Sequence, residues 1–393
     1  MESVTVYKGL VGRHQVDASG NLETHVAADV LIDAFHVFCA LSEGAEGASD
    51  PNTPGTVPAP QLVSMRRLGA APPQQGELLR CVLQAPAAGD SPDALHLVLE
   101  GERGAIWAGT VHADGARMGA RTWRAQPADL PAPVVARRMH AGHCDQAGHV
   151  NVQVFLALVD EAIAVLCREL APDGHALHVV QARVSFKSEL FCGDVVQVHS
   201  GITGMDAQGV DMMHGIFHQP SGRLACVVES RLAALDASGL ALDPGWSSSR
   251  VDAAAVQAWP ALPRARALAV PRAGMAPGAG SVQTCQVVVD AWDADAAGWM
   301  QTRALVNLCS TGARQYLAQI GLDAARFTRD KSTVAAIDYA IELHRRPRLG
   351  CNLSMRSTHL AASAKSIRFS HHLVDSQAGD VYATIEIVGV MLD

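Results

Sequence analysis

The sequence has no run of about eighteen uncharged apolar residues and no apolar stretch behind Met1, so neither a membrane-spanning helix nor a secretory leader is expected. Charge is sparse at 18%, and acidic residues outnumber basic ones by 39 to 31, for a net charge of −8. Such a chain offers no broad positive surface. A nucleic-acid or acidic-membrane partner is therefore not expected, and any anionic ligand must rely on local cations. No C-x-x-C pair occurs among the nine cysteines Cys39, Cys81, Cys144, Cys167, Cys192, Cys226, Cys285, Cys309 and Cys351. An odd, scattered set fits reduced, buried thiols rather than a disulfide or zinc framework. A cytoplasmic protein is expected.

What the chain does have is apolar content, 49% of 393 residues, too much for one ordinary core and suited to two or three domains of about 100 to 150 residues. One short pattern recurs three times, as Asp17 to Glu23 (DASGNLE), Asp145 to Asn151 (DQAGHVN) and Asp295 to Gln301 (DAAGWMQ). Each copy leads into an apolar stripe at helical spacing. The stripes are Thr24, Ala28, Leu31, Phe35, Phe38 and Ser42; Val152, Leu156, Val159, Ile163, Leu166 and Leu170; and Thr302, Val306, Cys309, Ala313, Tyr316 and Ile320. One long, mostly buried helix per repeat is predicted.

Behind each helix the sequence turns β-rich, with Gly76-Glu77, Gly193-Asp194 and Gly350-Cys351 as turns. The second tail is predicted as strands over 182–186, 195–204, 212–218 and 224–235, with a turn at Pro220-Ser221-Gly222. The third is predicted over 336–343, 352–360, 366–373 and 381–392. A single helix with that much sheet packs stably when the sheet wraps around it, an α+β hotdog arrangement. Three modules are expected, at 1–115, 134–238 and 281–393. Stretches rich in Pro, Ala and Gly at 113–133 and 240–280 read as linkers, the second with room for a short helix at Asp252 to Trp259.

With these residues in view, the chain resembles the hydroxybenzoyl-CoA thioesterase branch of the hotdog superfamily, which includes many acyl-CoA thioester hydrolases. The signature is Asp145-x-x-Gly148-His149-Val150-Asn151 entering a helix, then Ser185-Phe186-Lys187 and Gly193-Asp194. The second repeat matches over its full length. The third keeps Trp292-Asp293-Ala294-Asp295 but has Trp299-Met300-Gln301 in place of His-Val-Asn, and the first, with Asn21-Leu22-Glu23, departs most. The resemblance implies that Asp145, and Asp295 in the third module, is the nucleophile or general base. It also implies that the N–H of Val152 or a close neighbour holds the oxyanion, with Gly148, His149 and Asn151 around the substrate.

That assignment is chemically sufficient. Hydrolysing a thioester needs a carboxylate to bring water to the carbonyl, or to attack it, and donors for the developing oxyanion. The thiolate leaves readily, so no elaborate general acid is required. Nothing here calls for a cofactor; coenzyme A would enter as part of the substrate. Its anionic tail would need cations, for which Arg137, Arg138, Lys187, Arg345, Arg346 and Arg348 are candidates.

Simpler roles stand beside these. His149 suits either a satisfied buried histidine or a polar neighbour of the site. Asn151 suits a helix cap, and Asp160 and Glu161 on the helix suit structural ion pairing rather than catalysis. His140-Ala141-Gly142-His143 invites a metal, but no Cys or carboxylate set completes it. An acyl-CoA binding or sensing protein without turnover is the alternative function. A hydratase ranks last, for want of its His-bearing motif after a Gly-Asp turn. Hotdog modules pair, and three cannot all pair within one chain. A homodimer of six modules is therefore expected, the first two paired in cis over the shorter linker and the third meeting its copy.

Overall fold

A computed structural model of the chain describes residues 4–10, 15, 21–41, 61–68, 71–74, 77–84, 94–112, 130–145, 148–170, 177–206, 209–241, 277, 280–322, 329, 333–363 and 365–392. The first module holds β1 (Val4–Leu10), α1 (Thr24–Leu41), β2 (Gln61–Arg67), β3 (Leu78–Gln84), β4 (Ala94–Gly101) and β5 (Gly104–His112). The second holds β6 (Pro133–Arg138), α2 (Val152–Leu170), β7 (His178–Phe186), β8 (Val195–Asp206), β9 (Gly209–His218) and β10 (Arg223–Ala233). The third holds β11 (Val282–Val288), α3 (Thr302–Gln319), β12 (Thr333–Leu343), β13 (Asn352–Ala362), β14 (Ser366–Asp375) and β15 (Val381–Leu392). Each module is a hotdog, one long helix with an antiparallel sheet. Asp17, Gly76 and the helix expected at Asp252 to Trp259 lie outside the described residues.

Two compact units divide the chain. One is Met1–Val150 with Leu190–His199 and Phe217–Arg223; the other is Asn151–Glu189 with Ser200–Ile216 and Leu224–Asp393. The second module supplies residues to both, so the units do not follow the three stretches marked out in the sequence.

In the first unit the strand order is β6-β1-β3-β4-β5-β2, with Val195–His199 of β8 antiparallel to β6. The α1 stripe buries Ala27, Val30, Leu31, Ala34, Phe35 and Phe38 against Leu79, Cys81, Leu97, Leu99, Ile106 and Val111 of the sheet. Each fully buried Leu or Phe contributes roughly 1.5–3 kcal/mol. The helix comes so near β5 that a Cβ at Gly109 would lie 2.6 Å from Leu31 Cδ1. Glycine at that position is what lets the two elements touch.

In the second unit the order is β11-β13-β14-β15-β12-β7-β10-β9. Helix α3 packs on β11, β13 and α2, and its Gly312 sits over Thr284 and Met355. Strands β7 and β12 are joined by an antiparallel ladder in which Asp338 faces Ser185 and Glu342 faces Gln181. Side chains reinforce it: Ser185 Oγ donates to Asp338 Oδ1 at 2.6 Å and Gln181 Nε2 donates to Glu342 Oε1 at 3.2 Å. The third module therefore pairs with the second inside the chain. This overturns the expectation that it is left over, and with it the module-count reason for a dimer. Strand β1 also meets β6, at Lys8 and Ala136.

Candidate active site

In the first unit the segment after β6 is anchored before it reaches Asp145. The N–H of Met139 donates to Asp194 O at 2.7 Å and that of Gly193 to Met139 O at 2.8 Å. A single 3-10 turn, Ala141–His143, then sets the direction of Cys144 and Asp145. The loop closes on itself: Asp145 N–H donates to His149 O at 2.8 Å, His149 N–H to Asp145 Oδ1 at 3.0 Å, and Gly148 N–H to Asp145 O at 3.0 Å. Gly148 has φ +84°, a conformation that other residues adopt with strain. The loop is tied down by Cys192 N–H to Gly148 O at 3.1 Å and by Val150 N–H to Leu190 O at 2.8 Å. Asp145 is exposed. His149 is half-buried, its ring edge-on to Phe191 at 5.0 Å, a packing contact rather than a sealed core position. Asn151 and Val152 belong to the second unit, where Val152 opens α2.

The Asp295 loop, wholly in the second unit, repeats this design. Asp295 N–H donates to Trp299 O at 2.8 Å, and Gly298 N–H to Asp295 O at 3.0 Å. Asp295 Oδ1 accepts the N–H groups of Ala297 and Trp299, each at 2.9 Å. Its surroundings are different, because the chain's own residues fill them. Oδ2 lies 3.8 Å from Nδ1 of His178, a buried residue at the start of β7. Arg346, 6% exposed, donates through Nε to Met300 O at 2.7 Å, through Nη1 to Val179 O at 2.8 Å and through Nη2 to Thr302 Oγ1 at 3.2 Å. Asp160 of α2 reaches the start of α3, where its Oδ2 accepts the N–H of Arg303 at 3.1 Å. The N-cap residue Gln301 makes no side-chain cap of its own, so the carboxylate of one helix caps the next. Above them the Asp236 to Leu240 turn closes down: Arg346 N–H donates to Gly239 O at 2.8 Å, and a Cβ at Gly239 would lie 3.0 Å from the Trp299 ring.

Burial sets the electrostatics of this junction. It raises the Asp295 carboxyl against the opposing pull of the Trp299 N–H and Arg346. It raises Asp160 against Arg346, Thr302 and Arg303. It lowers Arg346 against Asp160 and Asp295. It takes His178 down to about 3, with Arg346 pushing the same way. Each charge loses solvation, and mutual attraction offsets part of that cost.

These contacts correct one of the predicted cations and locate the rest. Arg346 is buried and its hydrogen bonds go to the protein, so it has no face for coenzyme A. Arg345 stands 3.6 Å from Asp380 and over the Tyr382 ring at 5.8 Å, and Arg348 lies on the Trp299 ring at 4.5 Å. Lys187 Nζ donates to Ser185 Oγ at 2.8 Å, on the β7–β12 ladder. Arg137 and Arg138 are half-buried neighbours on β6, and so project to opposite faces of the sheet. Glu161 is half-buried on α2. Among the described residues, no group of three or more His, Cys, Asp or Glu side chains is arranged to hold a metal ion, and no helix is long and apolar enough to cross a membrane.

A profile of the thioesterase-like superfamily matches residues 139–261 and 289–393, more than half of the chain and both of the loops just described. The chain belongs to the thioesterase-like superfamily. No curated protein matches this thioesterase. Solved structures similar to it include a putative oleoyl thioesterase from Lactobacillus plantarum, at 12% identity and TM-score 0.49, over 68% of this chain and 98% of that one. An acyl-ACP thioesterase from Bacteroides thetaiotaomicron is similar at 10% identity and TM-score 0.44, over 65% and 96% of the two chains. A 12:0-ACP thioesterase from Umbellularia californica is similar at 13% identity and TM-score 0.47, over 65% and 92%. Three residues of the thioesterase's two loop regions escaped sequence reasoning. His178 carries no local signal at the head of a strand. Asp160 was visible as an ion-pair candidate but not as a cap. Asp33 was visible as an acid within the apolar stripe of α1 and was passed over.

Proposed function

We propose that this thioesterase hydrolyses acyl-CoA or acyl-carrier-protein thioesters to the free acid and thiol, with the Asp145 carboxylate as general base or nucleophile. The observation that carries the assignment is a contrast between two equivalent loops. Asp145 is exposed, whereas Asp295 is half-buried, with His178 3.8 Å from its carboxylate and Arg346 and Trp299 around its loop. A substrate carbonyl therefore meets less obstruction at the first than at the second, whose side chain is 30% exposed. As base, Asp145 takes a proton from water as the water's oxygen bonds to the carbonyl carbon; collapse of the tetrahedral adduct then expels the thiolate. As nucleophile, it forms an acyl anhydride that water opens. Either route leaves the thiol, a good leaving group, to depart without a dedicated acid. Of the predicted cations, Arg137 is the one proposed to meet the anionic coenzyme A tail. Arg138 lies close enough to His36 of α1 to depress its pKa, so Arg137 faces the other way.

The test is loss of thioester ultraviolet absorbance over short, long, branched and aromatic acyl-CoAs, comparing wild type with Asp145→Asn and Asp295→Asn. An asparagine carbonyl can still accept the His149 N–H, so the loop keeps its shape. Asp145→Asn is expected to lower kcat by roughly 10²- to 10⁴-fold, and Asp295→Asn to leave kcat within a few-fold. Wild-type turnover that survives Asp145→Asn removes Asp145 from the chemistry.

A further inference from the structure

The first module lies outside the two matched regions, yet it reaches the segment that carries Asp145. On α1, amid buried Leu31, Ala34 and Phe35, stands Asp33, 6% exposed. Its Oδ2 is 2.9 Å from Nε2 of His140, five residues before Asp145. Its Oδ1 is buried and has no hydrogen-bond partner among the described residues. A carboxylate in an apolar helix stripe costs stability that an apolar side chain there would not. Its presence calls for a role beyond packing.

We propose that Asp33 is a positioning residue for the Asp145 site, acting through His140, and that the first module's part in the reaction is to supply it. This rests on the assignment of Asp145 above. By accepting from Nε2–H, Asp33 selects one tautomer and one ring orientation of His140. His140 in turn organises the run into the loop. Its N–H donates to Nδ1 of His143 at 3.2 Å, and its carbonyl accepts the His143 N–H at 2.9 Å and the Cys144 thiol at 3.5 Å. Cys144 then bridges to Val150 and closes the Asp145 loop. The other charged and titratable groups facing the pair are His36, Arg138 and His143. His36 is taken down to about 4, by burial first and then by Arg138. It is therefore neutral near pH 7, and the ring within hydrogen-bond distance of the Asp33 carboxylate is that of His140.

Asp33→Leu, Asp33→Asn and wild type are compared by kcat, KM, melting temperature and the ¹⁵N signals of the His140 ring. In wild type the ring is expected to show a single Nε2–H tautomer. Asp33→Leu is expected to keep or raise the melting temperature, mix the tautomers and lower kcat by roughly ten- to a hundredfold with KM little changed. Asp33→Asn, whose carbonyl still accepts from Nε2–H, is expected to restore the tautomer and most of kcat. Asp33→Leu with an unchanged tautomer or unchanged kcat overturns the proposal, as does a fall in kcat that merely tracks a fall in melting temperature. If wild type turns over no thioester, the assignment of Asp145 fails on its own, and the tautomer comparison still decides whether Asp33 orients His140.

Discussion

A guanidinium sealed from water is tolerated only when its charge and donors find partners, and Arg346 places one donor from each of its three nitrogens on two carbonyls and a hydroxyl drawn from β7, the Asp295 loop and α3. Removing it strands Asp160 at the start of α3. Arg346→Ala is therefore expected to lower unfolding free energy by about 3–5 kcal/mol in urea titrations, whereas Asp160→Leu with Arg346→Met together should recover much of that. A loss within about 1 kcal/mol for Arg346→Ala would refute the clamp. Histidines provide a second test at this scale. His214 sits between the hydroxyls of Ser200 and Ser230 at 2.8 and 2.9 Å, and His371 bonds Ser357 at 2.7 Å. Burial takes both, like His178, down to about 3. The unfolded chain binds these protons near pH 6.5 and the folded chain does not. Their contribution is thus complete above about 6.5 and is lost as pH falls from there toward 3, at up to about 1.4 kcal/mol per pH unit for each. Asp160 and Asp295, pushed up by burial, work in the opposite direction at the acid end. The urea midpoint should fall steadily between pH 6.5 and 5, and less steeply in His214→Gln; a flat profile over that range contradicts the burial assignment.

Among the elements, the helices were the most legible. Their apolar stripes at helical spacing place the starts of all three at Thr24, Val152 and Thr302, where the structure has them. Stripe ends were less secure, since Ile320 is 46% exposed just beyond α3. Strand cores were legible too. Val381–Leu392 matches its expected bounds, while β7 begins at His178 rather than at residue 182. Those added residues bring in His178 itself, which an apolar run does not reveal. The Asp236 to Leu240 turn lies where the second module was expected to end at residue 238 and the linker to begin at 240, and it packs on the third loop. Gly239 there has φ +84°, and its Cβ would lie 2.4 Å from Arg346 O. Gly239→Ala is expected to cost at least about 2 kcal/mol, from conformational strain together with the clash. Denaturation should also expose Trp299 earlier than in wild type, as a red shift in fluorescence; an unperturbed transition would mean that the turn is not packed on the motif.

Across the whole chain, the consequence that matters is unequal use of equal parts. Two loops with the same hydrogen-bonded skeleton face different neighbours, so one is exposed and the other is built into a joint between α2, α3 and β7. Because β7 and β12 share a ladder, the second and third modules' portions of the second unit are expected to unfold as one calorimetric transition. Asp338→Ala, which strips the 2.6 Å bond from Ser185, should lower that transition without splitting it; two resolved transitions would argue against the shared ladder. Linker length pointed to the β1–β6 junction of the first two modules but not to the β7–β12 ladder of the second and third, for a physical reason. Closure entropy changes by only about 0.6 kcal/mol per doubling of a loop, so a few tens of residues cannot choose partners. By itself the sequence determined the repeat, the helices, most strands and the two motif aspartates, because periodicity and turn chemistry are local properties of the chain. Which strand edges meet, which motif is the more buried and which acid stands behind His140 were decided by the tertiary structure, because these depend on contacts between residues about a hundred or more positions apart, such as Asp33 with His140 and Asp160 with Arg303, and no local pattern encodes them.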